Sequence, residues 1–205
     1  GNLDFGVVPI GTSTELTFTI TNAGGGKLAG TAVVGTSCST FAVVQGGEAF
    51  SLGAGASLLV TVRFTPLSAV LSSCPVTFGL LGNSGCPDLS CSGTGLGPIC
   101  VVNPTSLDFG TLDVGERATR TFTVTNSGGG HLTGSVSLSY PCYPYFSLDT
   151  GGGLYDLGPG QTLDVTVAYE TTSPGSHACR IETGCEDVVI CSGVAVNPND
   201  HWWGG

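Results

Sequence analysis

Glu15-Leu16-Thr17-Phe18-Thr19-Ile20-Thr21 alternates polar and apolar side chains without a break. A period of two puts Leu16, Phe18 and Ile20 on one face and the threonines on the other, the pattern of a half-buried strand. Gly24–Gly26 ends the run. Upstream stands Leu3-Asp4-Phe5-Gly6, and downstream Leu58, Val60, Val62 and Phe64 alternate with outward-facing Thr61 and Arg63. This whole arrangement returns 104 residues later as Leu107-Asp108-Phe109-Gly110, Thr121-Phe122-Thr123, Thr125-Asn126 and Gly128–Gly130, with Cys142 for Cys38. After a one-residue insertion, Gly53, Val60, Val62, Phe64 and Cys74 match Gly158, Val165, Val167, Tyr169 and Cys179. A module of this length is a tandem domain, since solenoid periods run to roughly 20–50 residues. A duplication without a unique insert builds length or surface, which points away from an enzyme.

The chain has 205 residues, enough for two domains of about 100 each. The reading divides it into domain 1 over 1–96, a linker over 97–106, domain 2 over 107–195 and a tail over 196–205. Glycine, at 34 residues, and abundant threonine and valine disfavour helix and favour strands. Glycine-rich breaks every ~8–15 residues fit about seven short strands per repeat, each with one buried face. The fold class expected is therefore all-β, two tandem antiparallel sandwiches. Pro98 and Pro104 stiffen the linker and imply an extended rod. Only 10% of residues are charged and the net charge is −10, with Lys27 the single lysine. No basic cluster exists to displace counterions from nucleic acid, and an anionic membrane is disfavoured for the same reason. No run of about 18 apolar residues could span a bilayer. So little charge suggests that much surface is covered, by self-association or tight packing. Nine cysteines in a β-rich chain argue for an oxidising compartment. The chain starts almost directly on a strand motif, as a processed mature end would, and reads as secreted.

Leu-Asp-Phe-Gly, then Gly11 or Gly115, then Phe-Thr-Ile/Val-Thr-Asn and a glycine run resembles the Ig-like domains of the abnormal-spindle/hydin type. Leu52–Phe64 with Leu157–Tyr169, and Cys-Ser-Gly at 91–93 and 191–193, resemble the bacterial surface members of that set. The resemblance covers both repeats. It implies an Ig-like scaffold without a shared active site. Eukaryotic relatives are cytoplasmic and ciliary, so the cysteine load favours the bacterial surface reading.

In an Ig-like sandwich the third and sixth strands are antiparallel neighbours, which pairs Cys38 with Cys74 and Cys142 with Cys179. Each bridge closes about 36 residues and contributes roughly 3–4 kcal/mol in the chain-entropy model. For the rest, Cys86–Cys91 and Cys185–Cys191 can close within their repeats, and Cys100–Cys185 can close instead because the linker starts repeat 2 near the turn holding Cys185. Sequence does not settle the connectivity. The within-repeat assignment leaves Cys100 unpaired or intermolecular. Zinc on His177, Cys179, Cys185 and Cys191 is the competing chemistry. Repeat 1 lacks the matching histidine and no C-x-x-C pair occurs, so structural disulfides are preferred. No cofactor is expected.

Glu186-Asp187 could bind calcium, but the matching Pro87-Asp88 holds one acid, and a solvated turn explains both. His131 replaces Lys27 at a polar strand start. The glycine runs lack the Gly-Lys-Ser/Thr ending of a phosphate loop. Tyr140, Tyr143, Tyr145 and Phe146 could form a platform for surface glycans, where repeat 1 has only Phe41; packing is the preferred reading. The tail holds both tryptophans, Trp202 and Trp203, costly to leave in water. Val194-Ala195-Val196-Asn197-Pro198 copies the lead-in Val101-Val102-Asn103-Pro104, which repeat 1 lacks before Leu3. The expectation is an extracellular, non-enzymatic, head-to-tail homopolymer. Val196, Asn197, Pro198, Trp202 and Trp203 of one subunit would meet Leu3 and Phe5 of the next. A surface stalk or adhesin fragment and a carbohydrate-binding module are the alternatives.

Overall fold

The computed structural model describes residues 1–80, 86–140 and 142–198, and among them the regular elements are eighteen strands and no helix. They form two compact units, Gly1–Gly97 and Pro98–Gly205. The first contains β1 (Asn2–Pro9), β2 (Thr14–Thr21), β3 (Leu28–Gly30), β4 (Ala32–Val34), β5 (Phe41–Gln45), β6 (Phe50–Leu52), β7 (Ser57–Phe64), β8 (Leu71–Phe78) and β9 (Leu89–Leu96). One sheet has the order β1-β9-β8-β4, a second β2-β7-β5, and β3 pairs with β6. The second unit contains β10 (Cys100–Asn103), β11 (Ser106–Asp113), β12 (Arg117–Asn126), β13 (Leu132–Leu138), β14 (Phe146–Thr150), β15 (Gly153–Leu157), β16 (Thr162–Glu170), β17 (Gly175–Glu182) and β18 (Val188–Val196). Its sheets run β11-β18-β17-β13-β15 and β10-β12-β16-β14.

The alternation in β2 and β7 packs as expected: Val60, Val62 and Phe64 are fully buried. Thr61 is buried as well, because β7 lies between β2 and β5, and its hydroxyl donates to Gln45 Oε1 at 3.2 Å. Each core is centred on one aromatic set. Phe41 stacks on Phe64 at 4.7 Å with Phe5 edge-on, and Phe146 stacks on Tyr169 at 4.8 Å with Phe109 edge-on. One strand per unit departs from the antiparallel pattern: β1 pairs in parallel with β9, and β11 with β18.

The repeated motifs have structural causes. Asp4 Oδ1 accepts from the Gly6 N–H at 2.9 Å, and Asp108 Oδ1 does the same for Gly110. Gly6 and Gly110 take φ values of 64° and 69°, and the register with β9 and β18 shifts there. Leu-Asp-Phe-Gly is thus a bulge that turns the strand while keeping both apolar residues inward. Gly93 and Gly193, of Cys-Ser-Gly, lie under the central rings, where an added Cβ would stand 2.6 Å from Phe64 and 2.5 Å from Tyr169. The Asn22 amide donates to Gly26 and Leu52 carbonyls while its Oδ1 accepts from Gly24, and Asn126 repeats this network.

The residues read as a linker are not a free connection. Gly97 closes the first unit, and Cys100–Asn103 pairs antiparallel with β12, from Cys100↔Asn126 to Asn103↔Thr123. Val102, only 6% exposed, joins the second core.

Candidate functional site

The cysteines divide into bonded and buried sets. Cys38–Cys74 spans 5.9 Å between Cα atoms, Cys142–Cys179 spans 4.5 Å and Cys100–Cys185 spans 6.1 Å. Cys100 is therefore bonded rather than unpaired, because β10 lies beside the turn carrying Cys185. Neither Cys86–Cys91 nor Cys185–Cys191 forms. Cys91 and Cys191 point inward from β9 and β18 and are paired in register with Cys74 and Cys179. Both are fully buried, and desolvation pushes their thiols up to about 11 and about 12. They act as small apolar core residues. Cys86 is half-buried and free. The zinc alternative loses its ligands, since the sulfurs of Cys179 and Cys185 are both spent in disulfides. Among the described residues no three His, Cys, Asp or Glu side chains converge for a metal ion.

The tyrosine platform is divided by the fold. Tyr140 and Tyr143 are 96% and 88% exposed, whereas Phe146 is core. The Tyr145 hydroxyl lies 2.8 Å from Ser173 Oγ, and its ring stacks on His177 at 3.5 Å. His177 Nδ1 in turn lies 2.7 Å from the Tyr169 hydroxyl, and burial lowers the histidine pKa. Sequence reading missed this cluster. Its signal was a concerted difference between the repeats, in which Tyr145, Tyr169 and His177 replace Thr40, Phe64 and Ser72. His131 forms an exposed contact with Asp156 at 2.7 Å. Near Glu186-Asp187, the Thr183 hydroxyl donates to the Asp187 carbonyl and closes a turn.

The proposed subunit contacts are also rearranged. Phe5 is 7% exposed, and half-buried Leu3 packs against the same core, so neither offers a contact surface. Val196 is the last residue of β18, in register with Asp113, and its carbonyl accepts from the Val114 N–H at 2.9 Å. Val194–Val196 thus belong to the second domain, held between β11 and β17. Asn197 and Pro198 are exposed, while Trp202 and Trp203 lie outside the described residues.

What remains is an edge. Strand β12 has β10 on one side and β16 on the other, whereas among the described residues its counterpart β2 pairs with β7 alone. Beside β2 runs a groove of about 270 Å³ lined by Phe18, Ile20, Phe78, Cys86 and Leu89. Phe18 and Leu89 are half-buried there, whereas their counterparts Phe122 and Val189 are 1% and 0% exposed. Strand β2 itself carries no Lys or Pro, two of the residues that commonly protect a sheet edge.

The chain matches a family model described as HYDIN/CFA65/VesB-like, Ig-like domain, over residues 1–78 and 98–192. No curated protein sequence matches it. Among solved structures it is similar to the ASH/PapD-like domain 7 of human CEP192, with 14% identity and a TM-score of 0.41 over 49% of this chain and 87% of that one. The secreted serine protease VesC from Vibrio cholerae gives 18% identity and a TM-score of 0.32 over 91% and 47%. The S-layer protein rSbsC gives 18% and 0.42 over 82% of this chain and 20% of that one. These are likenesses of fold alone. No helix among the described residues is long and apolar enough to cross a membrane.

Proposed function

Because the chain belongs to the HYDIN/CFA65/VesB-like Ig-like domain family through both of its domains, we propose that it is a non-enzymatic structural protein of an extracellular or cell-surface assembly. Its subunits join head to tail, with the segment after Val196 of one subunit engaging the first domain of the next. The observation that carries this reading is the edge of β2 that no described strand covers, set against the covered edge of β12. A sheet edge with its apolar flank open is a template for a strand from another polypeptide. Three disulfides suit an oxidising compartment. A heterologous contact of this kind propagates into a fibre unless it closes into a ring. Negative-stain microscopy tests the reading: fibres or rings are expected, and discrete monomers at high concentration would overturn it.

A second reading, contact with surface glycans, rests on the exposed rings of Tyr140 and Tyr143. It predicts glycan-array binding that is lost in Tyr140→Ala/Tyr143→Ala, and an array without signal removes it.

A further inference from the structure

We infer that the groove along β2 is the seat of residues 197–205 of a second copy, which add to the open edge as a fourth strand and insert a tryptophan beside Phe18 and Leu89. This rests on the head-to-tail reading and names its joint. The Asn22 N–H donates inward to the Ala56 carbonyl at 3.0 Å, so the alternation of a strand turns the N–H and C=O of Thr19 and Thr21 outward. No described strand meets them. The second domain displays the completed form of this site. There β10 pairs with the same stretch of β12, and Val102 closes the core over Phe122, Val124 and Val189. Among the described residues the first domain has the same frame without that layer, and its core divides into two clusters where the second domain has one.

The groove's size and chemistry select the occupant. At about 270 Å³ it falls below the ~300–1,000 Å³ of small-molecule sites and suits inserted side chains. No lining side chain is charged. Residues 197–205 contain the chain's two tryptophans and one acid, Asp200, so they bring apolar surface to an acidic protein with little repulsion. Val194–Val196 cannot be the inserted strand, because β11 and β17 hold them. Nine extended residues reach about 30 Å, ample for a joint in which β10 uses four.

Cys86 makes the joint testable. It lines the groove, and its counterpart Cys185 is bonded to Cys100 at the start of the covering strand. In the 205-residue chain, Asp200→Cys and His201→Cys are each oxidised in a glutathione buffer, and the products are mapped by mass spectrometry. The expected result is a ladder of covalent oligomers linked from Cys86 to the introduced cysteine, abolished by Cys86→Ser. Fibres without such a link overturn this joint and leave the head-to-tail reading standing. Monomers throughout overturn both. Cys86–Cys86 dimers or a link within one chain also overturn the inference, as edge-to-edge pairing or self-docking. Tryptophan emission gives a second readout that needs no new cysteine, because both tryptophans lie in this segment. Assembly should shift it to the blue, and Thr19→Pro, which removes an outward N–H that the folded domain does not use, should abolish the shift. A shift that survives Thr19→Pro contradicts strand addition.

Discussion

The Tyr169 hydroxyl lies 2.7 Å from Nδ1 of His177, and Phe64 and Ser72 at the equivalent places in the first domain make no such contact. Burial lowers the His177 pKa below its ordinary value of 6.5. In acid the unfolded chain therefore takes up the proton first, so the histidine's contribution is present above pH ~6.5 and is lost as pH falls through the folded value. Calorimetry between pH 7.5 and 5.5 should show the second domain losing thermal stability relative to the first. His177→Phe should remove that difference, and parallel behaviour of the two domains in the wild type would refute the prediction.

Gly193 lies beneath the Tyr169 ring, and a Cβ there would stand 2.5 Å from it. Gly193→Ala should destabilise the second domain by about 1–3 kcal/mol through overpacking. Gly93→Ala should do the same to the first domain. Gly53→Ala, where a Cβ meets nothing within 4 Å, is the control and should shift the melting temperature little. Equal effects at positions 53 and 193 would contradict the packing argument.

Three thiols are free, but they differ in access. Alkylation of the native protein at pH 8 should label Cys86 alone, because Cys91 and Cys191 are buried with thiols pushed up to about 11 and about 12. Denaturation without reductant should expose three. Rapid native labelling at Cys91 or Cys191 would show that those strands open.

Cys100–Cys185 ties β10 to the second domain across a separation of 85 residues. The chain-entropy model gives about 4–5 kcal/mol for such a loop. Cys185→Ser should therefore lower the melting temperature of the second domain alone and raise exchange at the Val101 and Val102 amides. An unchanged transition would mean that the pairing of β10 with β12 suffices by itself.

The sheet-forming core was legible because alternation in β2, β7 and their copies is a local signal. The parallel pairing of β1 with β9 was not, since it joins residues almost a whole domain apart. β10 was missed because four residues, Cys100–Asn103, ending before Pro104 read as a linker; only the hydrogen bonds of β12 reveal a strand. The inward face of β9 consists of Cys91, Gly93 and Gly95, which hydropathy does not mark as core although rings and backbone close over them. That is why the sequence offers Cys91 as a possible partner of Cys86. The same difficulty concealed the candidate site. The apolar character of Leu3 and Phe5, which suggests a contact surface, reflects their own core, while the open edge exists only as a difference between β2 and β12.

If a neighbouring copy completes the first domain, amide hydrogen exchange at Thr19 and Thr21 must slow on assembly. In assembled protein these two amides should exchange slowly, and in a variant lacking residues 197–205 they should exchange quickly, while the Asn22 amide stays protected in both. Fast exchange at Thr19 and Thr21 in assembled protein would rule out strand addition at β2.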